Sequence, residues 1–493
     1  MTAVAVATQD PADQPLVGSR RQQSAWLFGL ALAVFLLLPQ RALHGVDADV
    51  FIAWIAQGQH DYPRHFAYLH VAGALYGLVA PLGGNAYHAL LLASALGSAL
   101  AVVFVHRAFL VLGPRQYRCG VLPALAVAAT GPCFYFATCV EIHGVFAAAA
   151  AASWWSFARF WQRPTPERAL LFGASTGLAA TVHAFGHLLL PTLLLAGWAA
   201  GVAQRGARGR WLVVAAAAHL LLAFGIAAVA AGQGGSQSAD VVPYLLSLVP
   251  TLEPSTAPAV LWREWLLACS PWSLLAIGGL FLRRSRPWAL AACLGVLLHL
   301  PLTVLLLGHH RIVELGAYMI GIVPAAVLAA TRLLRPRAFA AATLVALLGS
   351  LITTAPRWRE PAAPEFVAGV AELAAQGPFT LVVGQRHELE GVRKALPDLV
   401  VMDLAAIWQV WSQEPKDGRT FAQWFDAWYP VFTADGKRLL LAGSAHDFLA
   451  RCPIDDLRTF WDQHVPTAYQ VQPVARRGFT GAFLLPPRSV ALR

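Results

Sequence analysis

The sequence predicts an α-helical polytopic membrane protein: about eleven transmembrane helices plus interfacial helices, with a small C-terminal extracytoplasmic α/β domain. Three observations predict it. Of 493 residues, 57% are hydrophobic and only 13% charged, with a mean hydropathy of +0.56, whereas a soluble domain carries about 25% charged residues. Apolar runs of spanning length recur as far as Thr354, and beyond Arg357 the composition turns into that of a soluble domain. The charge is also unevenly placed. Its net value is +10, from 36 basic and 26 acidic residues; 21 arginines and 11 acids lie up to Pro356, and 15 of each sign lie beyond it. A basic excess confined to the hydrophobic part reads as membrane topology and speaks against a nucleic-acid partner.

Residues 1–23 are polar and read as a disordered cytoplasmic tail ending in Arg20-Arg21. Trp26–Leu38 follows without a small-residue cleavage site and is expected to stay as an uncleaved first span. The apolar runs fall at 24–40, 86–106, 119–138, 144–161, 169–183, 187–203, 211–231, 265–282, 288–307, 313–331 and 338–354. With the N-terminus inside, 17 arginines occupy the inner turns, and only Arg41, Arg64, Arg263 and Arg311 lie outside. That split obeys the positive-inside rule and puts the C-terminal domain, 356–493, outside. The membrane domain is then 24–355, with a first outer loop at 41–84. Within that loop, Asp47–Gln57 places Val50, Phe51, Trp54 and Ile55 on one helical face, which suits an interfacial helix. Phe66–Leu82 reads as a second interfacial or re-entrant helix, because a span there would reverse the arginine pattern.

The C-terminal region alternates strands at 379–384, 399–404, 438–443, 469–474 and 481–485 with helices at 387–396, 420–429 and 455–463, the pattern of a small α/β sandwich. Gly384 follows a strand but lacks a phosphate-binding glycine motif. Trp408, Trp411, Trp424, Trp428 and Trp461 read as core and interface residues ahead of a sugar-stacking platform. Six cysteines, five of them in or beside apolar helices, form no disulfide framework and read as free thiols.

The topology sends most acids and histidines to one outer face. Five clusters return there: Asp47 with Asp49; His60 and Asp61 with Arg64; Glu141 with His143; His183 with His187; and His309, His310 and Arg311 with Glu314. Ionisable groups at membrane depth are costly and tend to line a cavity or pair with one another, so a polar site opening outward is expected. Asp47 and Asp49 are two residues apart and cannot share one helical face. One can point inward while the other meets solvent, although both also suit the dipole at a helix start.

These motifs, in this order, resemble those of the GT-C superfamily of integral-membrane glycosyltransferases, and most nearly the bacterial relatives of the eukaryotic transmembrane protein O-mannosyltransferase. Asp47 stands for that branch's first acid, His60-Asp-Tyr-Pro63 for its His-Pro element, Glu141-Ile-His143 for its Glu-Val-Tyr motif, and His183 for its later histidine. Thr380–Asp403 is similar to the start of its outer domain. The branch's motif glutamate falls on Val50, unless Asp49 replaces it, and its tyrosine has become His143. The resemblance implies an enzyme of the bacterial cytoplasmic (inner) membrane. It would move a sugar from a polyprenyl-phosphate donor to a protein, glycan or lipid acceptor with inversion. Asp47, or Asp49 in its place, would be the general base, Glu141 and His143 would position the acceptor or hold Asp47, and Arg311 with Arg64 would neutralise the phosphate. No cofactor is expected. Two other readings stay open: a transporter or lipid flippase with an outward-facing polar cavity, and a divalent-metal site in which His183 and His187 join Glu141 or His309/His310.

Overall fold

The computed structural model describes residues 19–486 except 45–46, 61–65, 118–119, 200–206, 233–253, 311–313, 360–361, 405–406, 408–410, 412–418 and 446–454. Its helices in chain order begin with α1 (Arg20–Leu37), α2 (Asp47–Ala56), α3 (Phe66–Val79), α4 (Ala86–Leu112), α5 (Val121–Ala128), α6 (Gly131–Ala137), α7 (His143–Gln162) and α8 (Pro166–Val182). They continue with α9 (Leu189–Ala199), α10 (Ala207–Gly232), α11 (Trp272–Gly279), α12 (Arg286–His310), α13 (Val323–Leu333), α14 (Pro336–Thr354), α15 (Pro364–Ala374), α16 (Arg386–Ala395) and α17 (Phe421–Phe432). The chain divides into two compact units. One comprises Met1–Pro39, His60–Ala72 and Leu91–Ala355; the other comprises Gln40–Gln59, Gly73–Leu90 and Pro356–Arg493. The segment that carries Asp47 and Asp49 thus folds with the C-terminal region.

The first unit is helical. A capping box between Ser19 and Gln22 starts α1, each side chain meeting the other residue's backbone N–H. All eleven expected apolar runs contain helix, but among the described residues only four helices, at 86–112, 209–226, 286–307 and 336–358, are long and apolar enough to cross a membrane. The other runs are shortened or interrupted. The first turn of α1 is spent on Arg20, Arg21, Gln22 and Gln23. The run at 119–138 is broken before Gly131-Pro132 into α5 and α6. His183 separates α8 from a 3₁₀ turn, Ala184–Leu188, that leads into α9. A π-helical turn, Leu261–Leu267, precedes α11, and the 3₁₀ turn Ala317–Met319 precedes α13. Irregular backbone at membrane depth survives only where protein or a polar cavity satisfies it. These breaks abut one another: a Cβ on Gly131 would lie 2.4 Å from the Ala268 carbonyl oxygen, and one on Gly316 would lie 2.9 Å from that of Glu264. Large apolar side chains such as Leu37, Leu221, Phe281 and Ile352 face outward, as a lipid-facing surface requires.

The second unit carries a five-stranded sheet of order β2-β1-β3-β5-β4, with β1 at Phe379–Val383, β2 at Val400–Asp403, β3 at Arg438–Ala442, β4 at Gln470–Arg476 and β5 at Phe479–Leu485. Strands β1, β2 and β3 are parallel, with Leu381 opposite both Val401 and Leu440, and β5 runs antiparallel to β3 and β4. Alternate residues of these strands feed two cores. Leu381, Val383 and Leu440 pack with Phe366, Val370 and Leu373 of α15 and with Leu389 and Val392 of α16. Val382, Leu439 and Leu441 pack on the other face with Trp424, Phe425 and Tyr429 of α17. The result is a three-layer α/β/α arrangement in which the expected strands all appear, and α15 is an addition. Trp411 and Trp424 are buried in the second core and Trp428 and Trp461 pack against it; Trp408 lies outside the described residues.

Helix α2 buries Ala48, Phe51, Ile52 and Ile55, spaced as one face of a 3.6-residue repeat. Val50 and Trp54, expected on that face, are half-exposed instead.

Candidate functional site

In the helical unit, the broken segments bring four of the expected residues together. Glu141 lies in the turn between α6 and α7, is 4% exposed, and is held by Ser94 of α4: the Ser94 hydroxyl donates to the Glu141 carbonyl at 2.8 Å. The Glu141 carboxylate accepts the next backbone N–H, that of Ile142, at 2.9 Å. His143 opens α7. Its Nε2 is 3.9 Å from Oε2 of Glu314, an ion pair when the imidazole is protonated. The His143 ring also lies 5.0 Å from that of His183 and 4.6 Å from Phe136. His183 is the N-cap of the 3₁₀ turn, where its Nδ1 accepts the Phe185 N–H at 3.2 Å. A neutral His183 therefore carries its proton on Nε2.

Sequence reasoning missed three further members. Tyr318 stacks on Phe185 at 4.3 Å, and its ring is 5.8–5.9 Å from those of His183 and His143. His299, wholly buried in α12, faces the Tyr318 carbonyl oxygen through Nδ1 at 2.9 Å and the Thr192 hydroxyl through Nε2 at 3.2 Å. A carbonyl only accepts, so Nδ1 donates and a neutral His299 accepts from Thr192. Glu264, 1% exposed, accepts the backbone N–H groups of Glu314 at 3.2 Å and Gly316 at 2.6 Å. It thereby fixes the turn that presents Glu314 to His143. Glu264 was one acid among several in the sequence, and a solitary histidine inside an apolar run carries no motif.

Other expected residues fall elsewhere. His187 is exposed and lies near His219 and Phe224 instead of His183, because the 3₁₀ turn does not place residues four apart on one face. That geometry removes the paired-ligand helix on which the metal reading relied. Among the described residues, no group of three His, Cys, Asp or Glu side chains is placed to hold a metal ion. His60 is half-buried with its ring 6.0 Å from His70. His309 and His310 end α12; Asp61, Arg64 and Arg311 lie outside the described residues.

In the second unit, the first turn of α2 separates the two aspartates as their spacing demands. Asp47 is exposed, whereas Asp49 is 6% exposed and its Oδ1 accepts from the Arg386 guanidinium at 2.8 Å. Arg386 also approaches Glu390 at 3.5 Å and Asp403 at 3.8 Å. Burial pushes the Glu390 carboxyl above its ordinary value, against the opposing pull of the Leu43 N–H and of Arg386, Arg357 and Lys394.

The architecture is found in solved structures. The chain is similar to ArnT from Cupriavidus metallidurans in the apo state, at 15% identity and TM-score 0.55, over 94% of this chain and 98% of that one. It is also similar to the oligosaccharyltransferase of Archaeoglobus fulgidus in complex with zinc and sulfate, at 13% identity and TM-score 0.51, over 93% of this chain and 72% of that one. The chain shares the fold of these two proteins. It is a multi-pass membrane protein, mostly helical, with a small C-terminal sheet. No protein-family model matches the sequence, and no curated protein does. Among the described residues, Glu141, His143, His183 and Glu314 gather among interrupted helices, Asp47 and Asp49 lie in the first turn of α2, and His60 lies beside His70.

Proposed function

We propose that the chain is an inverting membrane glycosyltransferase that moves a sugar from a polyprenyl-phosphate donor to an acceptor at the outer face of a bacterial inner membrane. The observation that carries the proposal is the acidic first turn of α2 on a GT-C fold, where Asp47 is exposed and Asp49, two residues later, is buried against Arg386. In this reading Asp47 is the general base, with Asp49 as the alternative. The acceptor hydroxyl attacks the anomeric carbon and loses its proton to the carboxylate. The bond from that carbon to the phosphate oxygen breaks, and polyprenyl phosphate leaves. Arg311 and Arg64 neutralise the phosphate. Glu141, His143 and His183 bind the sugar or acceptor, a role suited to buried polar groups carried on short turns between helices. The sequence motifs favour the O-mannosyltransferase-like branch and a hexosyl donor, and the arginine distribution favours an inner N-terminus.

Purified protein in liposomes, supplied with polyprenyl-phosphate sugars and candidate acceptors, tests the reading. Covalent transfer is expected, and it is expected to be lost on Asp47→Asn. Transfer that survives Asp47→Asn combined with Asp49→Asn would remove the mechanism. Movement of labelled substrate without any conversion would favour a transporter.

A further inference from the structure

The segment from Arg41 to Leu43, which leads into α2, has no regular secondary structure, yet all six of its backbone polar groups are engaged by the C-terminal region. The Arg41 and Ala42 N–H groups donate to the Arg357 carbonyl oxygen at 2.7 and 3.2 Å. The Arg357 guanidinium donates to the carbonyl oxygens of Leu43 at 2.5 Å and Ala42 at 3.4 Å. The remaining two groups, and Asp49 itself, are taken by α16. Lys394 Nζ donates to the Arg41 carbonyl at 2.6 Å, Glu390 accepts the Leu43 N–H at 3.1 Å, and Arg386 holds Asp49 at 2.8 Å.

Arg386, Glu390 and Lys394 are four residues apart, so they form one stripe along α16. In chain order they meet Asp49, Leu43 and Arg41, so the stripe follows the acidic segment from end to end. The helix is itself tightly seated: a Cβ on Gly391 would lie 2.3 Å from that of Ala362. Arg386 is the pivotal member. Its guanidinium has three carboxyl groups around it, those of Asp49 at 2.8 Å, Glu390 at 3.5 Å and Asp403 at 3.8 Å. A planar guanidinium can serve several oxygens in fixed directions, which an ammonium cannot do.

We infer that Arg386 is a positioning residue of the C-terminal domain: by anchoring Asp49 it sets the orientation of the first turn of α2 and so aims the carboxylate of Asp47. The inference rests on the reading above in which that turn supplies the general base, and it gives the C-terminal domain a part in the reaction. In this inference Arg386 acts through the α2 turn and not on the substrate. Its effect is therefore on the geometry of the base, and a misplacement of about 1 Å in a reacting group can cost on the order of a hundredfold in rate.

The experiment compares Arg386→Met, Arg386→Lys, Asp49→Ala and the Arg386→Met/Asp49→Ala double variant of the full-length protein in liposomes. Arg386→Met is expected to lower kcat by roughly a hundredfold with KM for the lipid-linked donor within about twofold. Arg386→Lys should recover roughly a tenth of the wild-type rate or more, since it restores charge but not the fork. Asp49→Ala should cost about as much as Arg386→Met, with the double variant no worse than either, because both remove the Arg386–Asp49 contact. Amide exchange over residues 41–49 should quicken in Arg386→Met while exchange in α17 stays as in the wild type, which separates release of the segment from unfolding of the domain. Wild-type kcat in Arg386→Met, or losses that multiply in the double variant, would overturn the inference. Should Arg386→Met not insert in the membrane, Asp49→Ala and Arg386→Lys interrogate the same contact from its other side. Transfer persisting in the Asp47→Asn/Asp49→Asn protein would instead sink the underlying reading, a result distinct from either of these.

Discussion

His143 and Glu314 meet at 3.9 Å although 171 positions separate them in the chain, and their side chains are only 5% and 14% exposed. Each lies where a helix is interrupted: His143 follows the turn after α6, and Glu314 precedes the 3₁₀ turn Ala317–Met319. Glu264 secures the second of these through two backbone N–H groups. An ion pair this enclosed is retained more readily for specificity or chemistry than for stability, since desolvation offsets much of its attraction.

The pair therefore predicts a functional loss without a folding loss. His143→Phe keeps the ring contacts with Phe136 and His183 but removes the imidazole nitrogen facing Glu314. Transfer is expected to fall by at least about tenfold, and Glu314→Gln should fall by a similar factor. The double variant should show less than the product of the two effects, as residues in direct contact do. Initial rates in liposomes, alongside a size-exclusion profile of each purified variant, provide the check.

Glu264 predicts a loss of stability. A carboxylate accepts the Glu314 and Gly316 N–H groups with its two oxygens, and a glutamine has only one oxygen to offer. Glu264→Gln leaves one buried N–H without its acceptor, at a cost of about 1–3 kcal/mol. Gly316→Ala attacks the same turn from the backbone. Its φ of 82° is a left-handed conformation, and the new Cβ would lie 2.9 Å from the Glu264 carbonyl oxygen. Both variants should lower the thermal midpoint of the detergent-solubilised protein. An unchanged midpoint in both would contradict the role given to this turn.

The C-terminal domain was legible in the sequence because its strands are short, alternate cleanly and are bounded by turn residues. Phe379–Val383, Arg438–Ala442 and Phe479–Leu485 fall within about two residues of expectation. Glu141, His143, His183 and Glu314 were offered as candidates by the expected alternation of eleven apolar runs, whereas what brings them together in the structure is a set of interrupted helices, only four of the described helices being long and apolar enough to span. What the sequence hid were the breaks. In a run such as 119–138, nearly every position is apolar, so there is no periodicity to mark where Gly131-Pro132 starts a new helix. His299 and Tyr318 were hidden with them, because their roles depend on which broken ends meet. The stripe of Arg386, Glu390 and Lys394 could be read as helical spacing, but not as a surface that holds a segment more than 330 residues earlier.

Glu390 predicts a pH dependence of unusual sign. Burial raises its carboxyl pKa above the ordinary 4.5, so the folded protein holds this proton at pH values where the unfolded chain has released it. Its contribution to stability is then most favourable below 4.5 and is lost as pH rises through the raised folded value. Glu390→Gln has no such titration. The midpoint of the variant relative to wild type should therefore improve as pH increases from about 4.5 towards neutrality. Thermal unfolding of both proteins across that range measures the difference, and a variant midpoint that falls relative to wild type with rising pH would refute the assignment.

Packing of α4 against α7 sets the position of Glu141. A Cβ on Gly97 of α4 would lie 2.6 Å from the Gly144 carbonyl oxygen, and a Cβ on Gly144 of α7 would lie 2.6 Å from that of Ser94. The two helices thus touch backbone to backbone, in the manner of small-residue contacts inside membranes. This close approach is what lets the Ser94 hydroxyl reach the Glu141 carbonyl at 2.8 Å. Gly144→Ala must push the helices apart, since backbone cannot yield as a side-chain tip can, and overpacking of this kind costs about 1–3 kcal/mol. The separation would also draw Ser94 away from Glu141 and shift His143, the residue adjoining Gly144. Gly144→Ala should accordingly reduce both the thermal midpoint and the transfer rate. Ser94→Ala, which removes the hydroxyl but leaves the packing intact, should reduce the rate with a smaller change in midpoint. If Gly144→Ala matched the wild type in both measurements, α4 and α7 could not be in the contact described, and the setting of Glu141 would have to be rebuilt.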